Sequence, residues 1–177
     1  YPRGVEIGLY DPRFKSDILE TRYDVPAEAV KFLYVGRVSR EKNLHVLGDA
    51  FRALLSGRAN VHLLVTGDGP YREEMESELA GLPVTFTGYL EGDDLSAVYA
   101  SADVFVFPSA TDTFGNVVLE AQASGTPVIV SDQGGPHENV LPEETGFIVP
   151  ANDADALRKA MDTFVQEPCR AERMGAA

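Results

Sequence analysis

Cysteine is almost absent: the 177-residue chain has one, Cys169, in a polar segment near the C-terminus. A lone thiol cannot close an internal disulfide or build a cysteine-based metal cluster, so a reducing, cytoplasmic setting is expected. Basic residues are scarce as well, 15 Lys and Arg against 28 Asp and Glu, which leaves a net charge of −13. Such a chain repels a phosphate backbone or an anionic membrane surface in bulk, which argues against nucleic acid as a partner. No apolar run approaches the ~18 residues needed to cross a bilayer, so no transmembrane segment is expected. Tyr1-Pro2-Arg3-Gly4 lacks the hydrophobic region of a signal peptide. The first residue is not Met, and the chain reads as a fragment cut from something longer. His45, His62 and His137 are not spaced as metal ligands, and no metal site is expected.

At 44% hydrophobic and 24% charged, the chain is long enough for one domain with a real core and short for two. Residues 1–28, rich in Pro, Gly and Asp, read as a lead-in with a helix around Lys15 to Tyr23; residues 29–177 form the domain proper. Dense apolar runs with β-branched and aromatic residues predict strands at Val30–Val35, Val61–Thr66, Val84–Thr87, Val104–Phe107, Val128–Val130 and Phe147–Val149. Between them lie helical spacings. Leu44, Leu47, Ala50, Phe51, Leu54 and Leu55 form one face, with Asn43 as N-cap and Gly57 past the end. Pro70 suits the first position of a helix bearing Tyr71, Met75 and Leu79. Asp93 suits the cap of a helix with Leu95, Val98 and Tyr99 inward, and Asp153 caps a last helix with Leu157, Ala160, Met161 and Phe164. Alternating strands and helices predict an α/β fold: a doubly wound, Rossmann-like parallel sheet with right-handed crossovers.

Ligands of such sheets bind beyond the carboxyl ends of the strands, where the strand order reverses. Five loops leave strands at that edge: Gly36-Arg37, Gly67-Asp68-Gly69, Gly88-Tyr89, Asp112 to Asn116 and Gly134-Gly135, and together they can line one cleft. In the first, Arg37 and Lys42 stand five positions apart before a helix start. They can clamp a diphosphate, Arg37 as a fork and Lys42 as a point charge, or form a solvated basic turn. Thr66-Gly67-Asp68-Gly69 begins like a dinucleotide fingerprint, but the third glycine falls on Arg72 and the fingerprint fails; no P-loop pattern is present either. That turn exists for a close backbone approach, to a ligand or to another loop.

The most informative stretch is Ser109 to Gly125. From Asn116 onward Val117, Val118, Leu119, Ala121 and Ala123 make a helix apolar on nearly every face, yet Glu120 sits in its middle. A carboxylate there needs a hydrogen-bonding partner, in the protein or in a ligand. Gly115-Asn116-Val117 offers unpaired N–H groups and the positive end of the helix dipole. Asp112 reads either as a helix-capping residue or as an acceptor for sugar hydroxyls, and Glu120 suits the two hydroxyls of a ribose. His45 and His62 read as structural. His137 and Glu138, after Gly134-Gly135-Pro136, read as a helix start or as an aid to phosphate or sugar binding.

At these residues the chain resembles the C-terminal, donor-binding half of a retaining GT-B glycosyltransferase of glycosyltransferase family 4. The resemblance is carried by Gly4-Val5-Glu6 with Tyr10-Asp11-Pro12, Gly36-Arg37 with Lys42, Gly67-Asp68-Gly69-Pro70, Asp112 to Glu120, Ala121 to Ile129, and Gly134-Gly135-Pro136-His137-Glu138. It implies that Gly36, Arg37 and Lys42 meet the donor diphosphate, with Gly67 in the adjoining turn. Glu120 would take the ribose, and the backbone at Phe114, Gly115, Asn116 and Val117 the sugar and phosphate oxygens, while Gly88-Tyr89-Leu90 lies near the base. The family's first acid is usually Glu; here it is Asp112, shorter by a methylene. Thr-Asp-Thr-Phe-Gly-Asn-Val-Val-Leu-Glu-Ala resembles a subgroup associated with mannosyl transfer from GDP-mannose. The resemblance further implies no cofactor and no metal, a nucleotide-sugar donor such as GDP-mannose or a UDP-sugar, and an absent N-terminal domain for the acceptor. The chain also stops before the family's closing helix. The fragment alone should bind donor weakly and transfer nothing, while the full-length enzyme would be a retaining hexosyltransferase. The alternatives are a non-transferring nucleotide-sugar-binding module and a GT-B-like sugar nucleotide epimerase.

Overall fold

In the computed structural model, residues 5–57 and 60–177 are described; Gly4 of the Gly4-Val5-Glu6 motif lies outside them. The lead-in carries a 3-10 turn at Pro12–Phe14, capped by the Asp11 carboxylate on the Arg13 N–H, and then a short helix, α1 (Ile18–Tyr23). The helix expected from Lys15 thus starts three residues later, and Pro12 nucleates a separate turn. After it come β1 (Val30–Val35), α2 (Leu44–Leu55), β2 (Val61–Thr66), α3 (Arg72–Glu78), β3 (Val84–Gly88) and α4 (Gly92–Ser101). The second half runs β4 (Val104–Phe107), α5 (Asn116–Ala123), β5 (Val128–Ser131), a 3-10 turn at Pro136–Asn139, β6 (Gly146–Val149), α6 (Ala154–Gln166) and α7 (Pro168–Gly175).

All pairings in the sheet are parallel, in the order β3-β2-β1-β4-β5-β6. β2, β4 and β5 are buried along their whole length, whereas the edge strand β3 is half-buried throughout. This is why the central strands read as nearly continuous apolar runs, interrupted by Lys31 in β1 and His62 in β2, rather than alternating ones. The strand order reverses between β1 and β4. Their ladder is short, pairing only Phe32 with Val104 and Leu33 with Phe105, while β1 pairs with β2 from Val30 to Val35. Towards their carboxyl ends β1 and β4 are no longer zipped, and the connections leaving them go to opposite faces. A crevice opens there.

A row of aromatic rings runs beneath it. Tyr99 lies against Phe105 at 5.7 Å, Phe105 against Phe107 at 6.0 Å, and Phe107 against Tyr34 at 5.8 Å. The Tyr34 hydroxyl then donates to the carbonyl of Arg37 at 2.8 Å, tying the first loop to the core.

Several helix ends differ from expectation. Asn43 takes a left-handed conformation, φ 57°, and its side chain donates to the Pro108 carbonyl at 3.3 Å instead of capping α2. Asp93 lies inside α4, whose cap position is Glu91, and makes no capping bond. Pro70 precedes α3 by two residues. Asp153 does cap α6, accepting from the Ala156 N–H at 2.9 Å. The helix α7 was not anticipated, because its Pro-Cys-Arg-Ala-Glu-Arg-Met run is polar apart from the buried Met174.

The Gly67 turn serves a loop-to-loop approach. A Cβ at Gly67, where φ is +131°, would stand 1.9 Å from the Gly36 carbonyl oxygen, and one at Gly69 would stand 2.3 Å from that of Val38. Backbone bonds lace these loops together: Gly36 N–H to Thr66 O, Val38 N–H to Asp68 O, and Gly67 N–H to Gly88 O. A Gly67→Ala substitution therefore displaces the Gly36 loop and is expected to cost roughly 3 kcal/mol or more. Chemical denaturation of the variant beside wild type measures this.

Candidate functional site

The crevice has two lobes. The larger, about 500 Å³, is lined by Tyr10, Val35, Gly36, Arg37, Thr66, Gly67, Asp68, Tyr89, Leu90, Glu91, Gly92, Leu95, Val117 and Glu120. The smaller, about 370 Å³, is lined by Val35, Gly36, Arg37, Lys42, Phe107, Asp112, Thr113, Phe114, Gly115, Asn116 and Val117. They share Val35, Gly36, Arg37 and Val117. Twelve of the thirteen predicted site residues thus lie at one or both lobes, all except Gly88. Gly88 closes β3 and accepts the Gly67 N–H at 2.9 Å, so it supports the turn. Gly134-Gly135 lines neither lobe, contrary to expectation; its role is to pack behind the Asp112 loop. The Gly135 N–H donates to the Asp112 carbonyl at 2.8 Å, and a Cβ there would stand 1.8 Å from the Thr113 carbonyl oxygen. Nor do His137 and Glu138 reach either lobe. His62 is bonded to the Thr85 hydroxyl at 2.8 Å, as a structural histidine should be.

Asp112 does not cap α5, whose cap position is Gly115 at φ 77°. It faces Lys42 instead. Lys42 Nζ donates to both carboxylate oxygens, at 2.8 and 2.9 Å, and the Ser109 hydroxyl donates to Oδ2. The ion pair is largely sheltered, with side chains 17% and 24% exposed. Ser109 is fully buried, and its carbonyl accepts the Ser131 hydroxyl at 2.7 Å, so the acid is braced from the ends of β4 and β5. Arg37 is exposed and makes no ion pair among the described residues. Beside it the first turn of α5 presents N–H groups without helical acceptors and the positive end of the dipole.

The apolar helix is less buried than its composition suggests: only Val118 and Ala121 are fully inside. Glu120 is half-buried, pointing into the larger lobe, and its partner belongs to the protein. The Tyr99 hydroxyl donates to Oε2 at 2.8 Å, and Tyr10 interacts more loosely with the same carboxylate. Burial raises the Glu120 pKa above its ordinary 4.5, opposed by the two phenols. Sequence reasoning put Tyr99 on the inward face of its helix without assigning it a role and left Tyr10 in the lead-in. It also overlooked Ser109, although a small polar residue three positions before Asp112 was a readable signal.

A model of the family described as glycosyl transferases group 1 matches residues 17–177. The chain belongs to that family. This group 1 glycosyltransferase chain is 37% identical over 180 residues to sulfoquinovosyl transferase SQD2 of Arabidopsis thaliana, covering 99% of the chain and 34% of the relative. It is 36% identical to a GDP-mannose-dependent alpha-mannosyltransferase of Mycolicibacterium smegmatis, over 92% of the chain and 40% of that protein. The chain thus spans well under half the length of these curated relatives. Among solved structures, sucrose-phosphate synthase from Thermosynechococcus elongatus superposes with a TM-score of 0.81 at 32% identity, covering 98% of this chain and 45% of that one. Anabaena HepE in complex with UDP and glucose reaches 0.86 at 24% identity, over 98% and 48%, which speaks for the fold alone. The expected Rossmann-like sheet, one half of a GT-B architecture, is the fold found. No helix among the described residues is long and apolar enough to cross a membrane.

Burial of Glu120 has a pH signature. Its folded carboxyl keeps its proton to higher pH than the unfolded one, so stability is lost as pH rises through the window above 4.5. Glu120→Gln, which still accepts from Tyr99, is expected to gain stability over wild type on going from about pH 4 to about pH 7. Urea unfolding at both pH values measures it; a constant difference refutes it.

Proposed function

We propose that residues 29–177, with the lead-in at 1–28, are the donor-binding part of a longer retaining hexosyltransferase. The observation that carries the reading is the pair of lobes joined at Gly36-Arg37 and Val117, with an acceptor-only acid, Glu120, in one and cations in the other. In this reading the ribose hydroxyls of a nucleoside diphosphate sugar donate to Glu120, and the base lies along Gly88-Tyr89-Leu90. The diphosphate crosses the junction between Arg37 and the first turn of α5, at Phe114 to Val117. The sugar occupies the smaller lobe beside Asp112.

Lys42 then has a choice of partners. Its charge is held by Asp112 in the unliganded chain, and the incoming diphosphate draws it away, releasing Asp112 to accept sugar hydroxyls. As the bond between the anomeric carbon and the phosphate oxygen breaks, negative charge grows on the leaving diphosphate. Arg37, Lys42 and the α5 dipole are already in place to stabilise it. The donor is GDP-mannose or a UDP-sugar, in keeping with a relative named as GDP-mannose-dependent and a fold neighbour solved with UDP and glucose. The acceptor binds to the part of the protein outside this chain, in the cytoplasm.

Lys42→Ala in the full-length protein is expected to lower donor turnover roughly a hundredfold, with a smaller stability loss of about 1–2 kcal/mol because the sheltered Asp112 loses its cation but keeps the Ser109 hydroxyl. Normal turnover sinks the role. Glu120→Ala is expected to weaken nucleoside diphosphate binding about tenfold or more. Unchanged affinity by calorimetry refutes the ribose assignment, and donor consumption that ignores acceptor refutes the transferase.

A further inference from the structure

The lead-in segment sends one side chain into the larger lobe. Tyr10 lines it, stands edge-on to Tyr99 with ring centroids 5.6 Å apart at 89°, and turns its hydroxyl towards Glu120. The backbone on either side is pinned. The Leu9 carbonyl accepts the Ser96 hydroxyl of α4 at 2.5 Å, and the Asp11 carboxylate caps the turn that follows. The backbone that carries the ring is thus anchored to α4 on one side and to the following turn on the other.

Glu120 therefore has a phenolic donor from α4, Tyr99, and beside it in the same lobe a second phenol from the lead-in, Tyr10, able to become another. An ionised carboxylate offers about four acceptor positions, so two donors leave room for two more. A vicinal diol supplies two hydroxyls. We infer that Tyr10 is a positioning residue for Glu120: with Tyr99 it turns the carboxylate's remaining acceptor positions towards the open lobe, so that the lobe selects a ribonucleotide over a nucleotide lacking the diol. This rests on the reading of Glu120 as the ribose acceptor.

The charges around the pair agree with that role. Burial and the Glu120 carboxylate push the Tyr10 phenol up to about 12, with smaller contributions from Glu6 and Tyr89, so it stays a donor throughout the neutral range. Tyr99, more deeply buried, is raised further by burial, by Glu120 and by Tyr10 and Tyr34. Arg37, Asp68 and Glu91 complete the charged groups that line the lobe. Burial raises Glu120 and the Tyr99 and Tyr10 phenols oppose it, so loss of either leaves the carboxyl protonated to higher pH.

Tyr10→Phe keeps the ring against Tyr99 and removes only the donor. The full chain and this variant are titrated by calorimetry with guanosine and uridine diphosphates and with their 2′,3′-dideoxy counterparts, across the acidic range. The variant is expected to bind the better ribonucleotide roughly fivefold to tenfold more weakly, with dideoxy affinity unchanged and the acid limb of binding moved to higher pH. Equal ribonucleotide affinity and an unmoved limb overturn the role of Tyr10. Failure of wild type to bind any of the four overturns the ribose reading beneath it. A ligand-free measurement separates the two: the carboxyl midpoint of Glu120, followed by carbon-detected magnetic resonance, rises in Tyr10→Phe if the phenol holds the charge and stays put if it does not.

Discussion

Everything functional in this molecule depends on a reversal of direction between two strands that are neighbours in space but not in sequence. β1 and β4 are buried and parallel, so neither can be joined to its neighbour by a tight turn, and each connection must cross a face of the sheet. Because β1 leads away to β2 and β4 to β5, the two chains part as they leave the sheet, and the ladder between them covers only Phe32–Val104 and Leu33–Phe105. A crevice at the carboxyl edge follows from that geometry before any particular side chain is placed in it. The aromatic row from Tyr99 to Tyr34 fills the space beneath, and the interlocked glycines of the first two loops let backbone close one wall.

Charge is distributed against the trend of the whole chain. With 28 acids to 15 bases, an exposed cation finds a carboxylate easily, as Arg40 does at Glu74 and Arg72 at Glu76. Such exposed pairs contribute little to stability. The pair between Lys42 and Asp112 differs in being sheltered, braced by Ser109, and set in the smaller lobe with the first turn of α5. It keeps a lysine from being buried alone while leaving it able to change partners. Arg37 needs no such arrangement because it is exposed, and its charge is solvated until something covers it.

Glu120 shows how a buried acid is made tolerable without being neutralised by a cation. The Tyr99 phenol supplies one of the hydrogen bonds that water would have given, Tyr10 stands close by from another part of the chain, and the carboxylate still faces an open lobe. The lead-in is therefore part of the site as well as its approach, since Tyr10 comes from it. Ser109 stands to Asp112 much as Tyr99 stands to Glu120: a buried hydroxyl holds each acid while leaving part of the carboxylate available.

Strand positions were legible residue by residue, because a strand buried on both faces must be apolar at nearly every position, and Val30–Val35, Val61–Thr66 and Val104–Phe107 are. The loops that line the crevice were legible for a related reason: glycines and charges mark where the apolar runs stop. Helix ends were less so. Asn43, Asp93 and Pro70 are common start signals, but Asn43 bonds to the Pro108 carbonyl instead, Asp93 lies inside its helix and Pro70 precedes its own by two residues. The amino-acid sequence by itself determined the alternation of strands and helices, the excess of acid, and the presence of Glu120 in a helix that is otherwise apolar. Only the tertiary structure decided which groups face those charges: Tyr99 and Tyr10 at Glu120, Lys42 at Asp112, and the Gly134-Gly135 turn behind the site rather than in it. Local pattern reports burial and backbone freedom, which depend on near neighbours. A polar group's partner lies 21, 70 or 110 residues away, and nothing in the spacing along the chain encodes the fold that brings the two together.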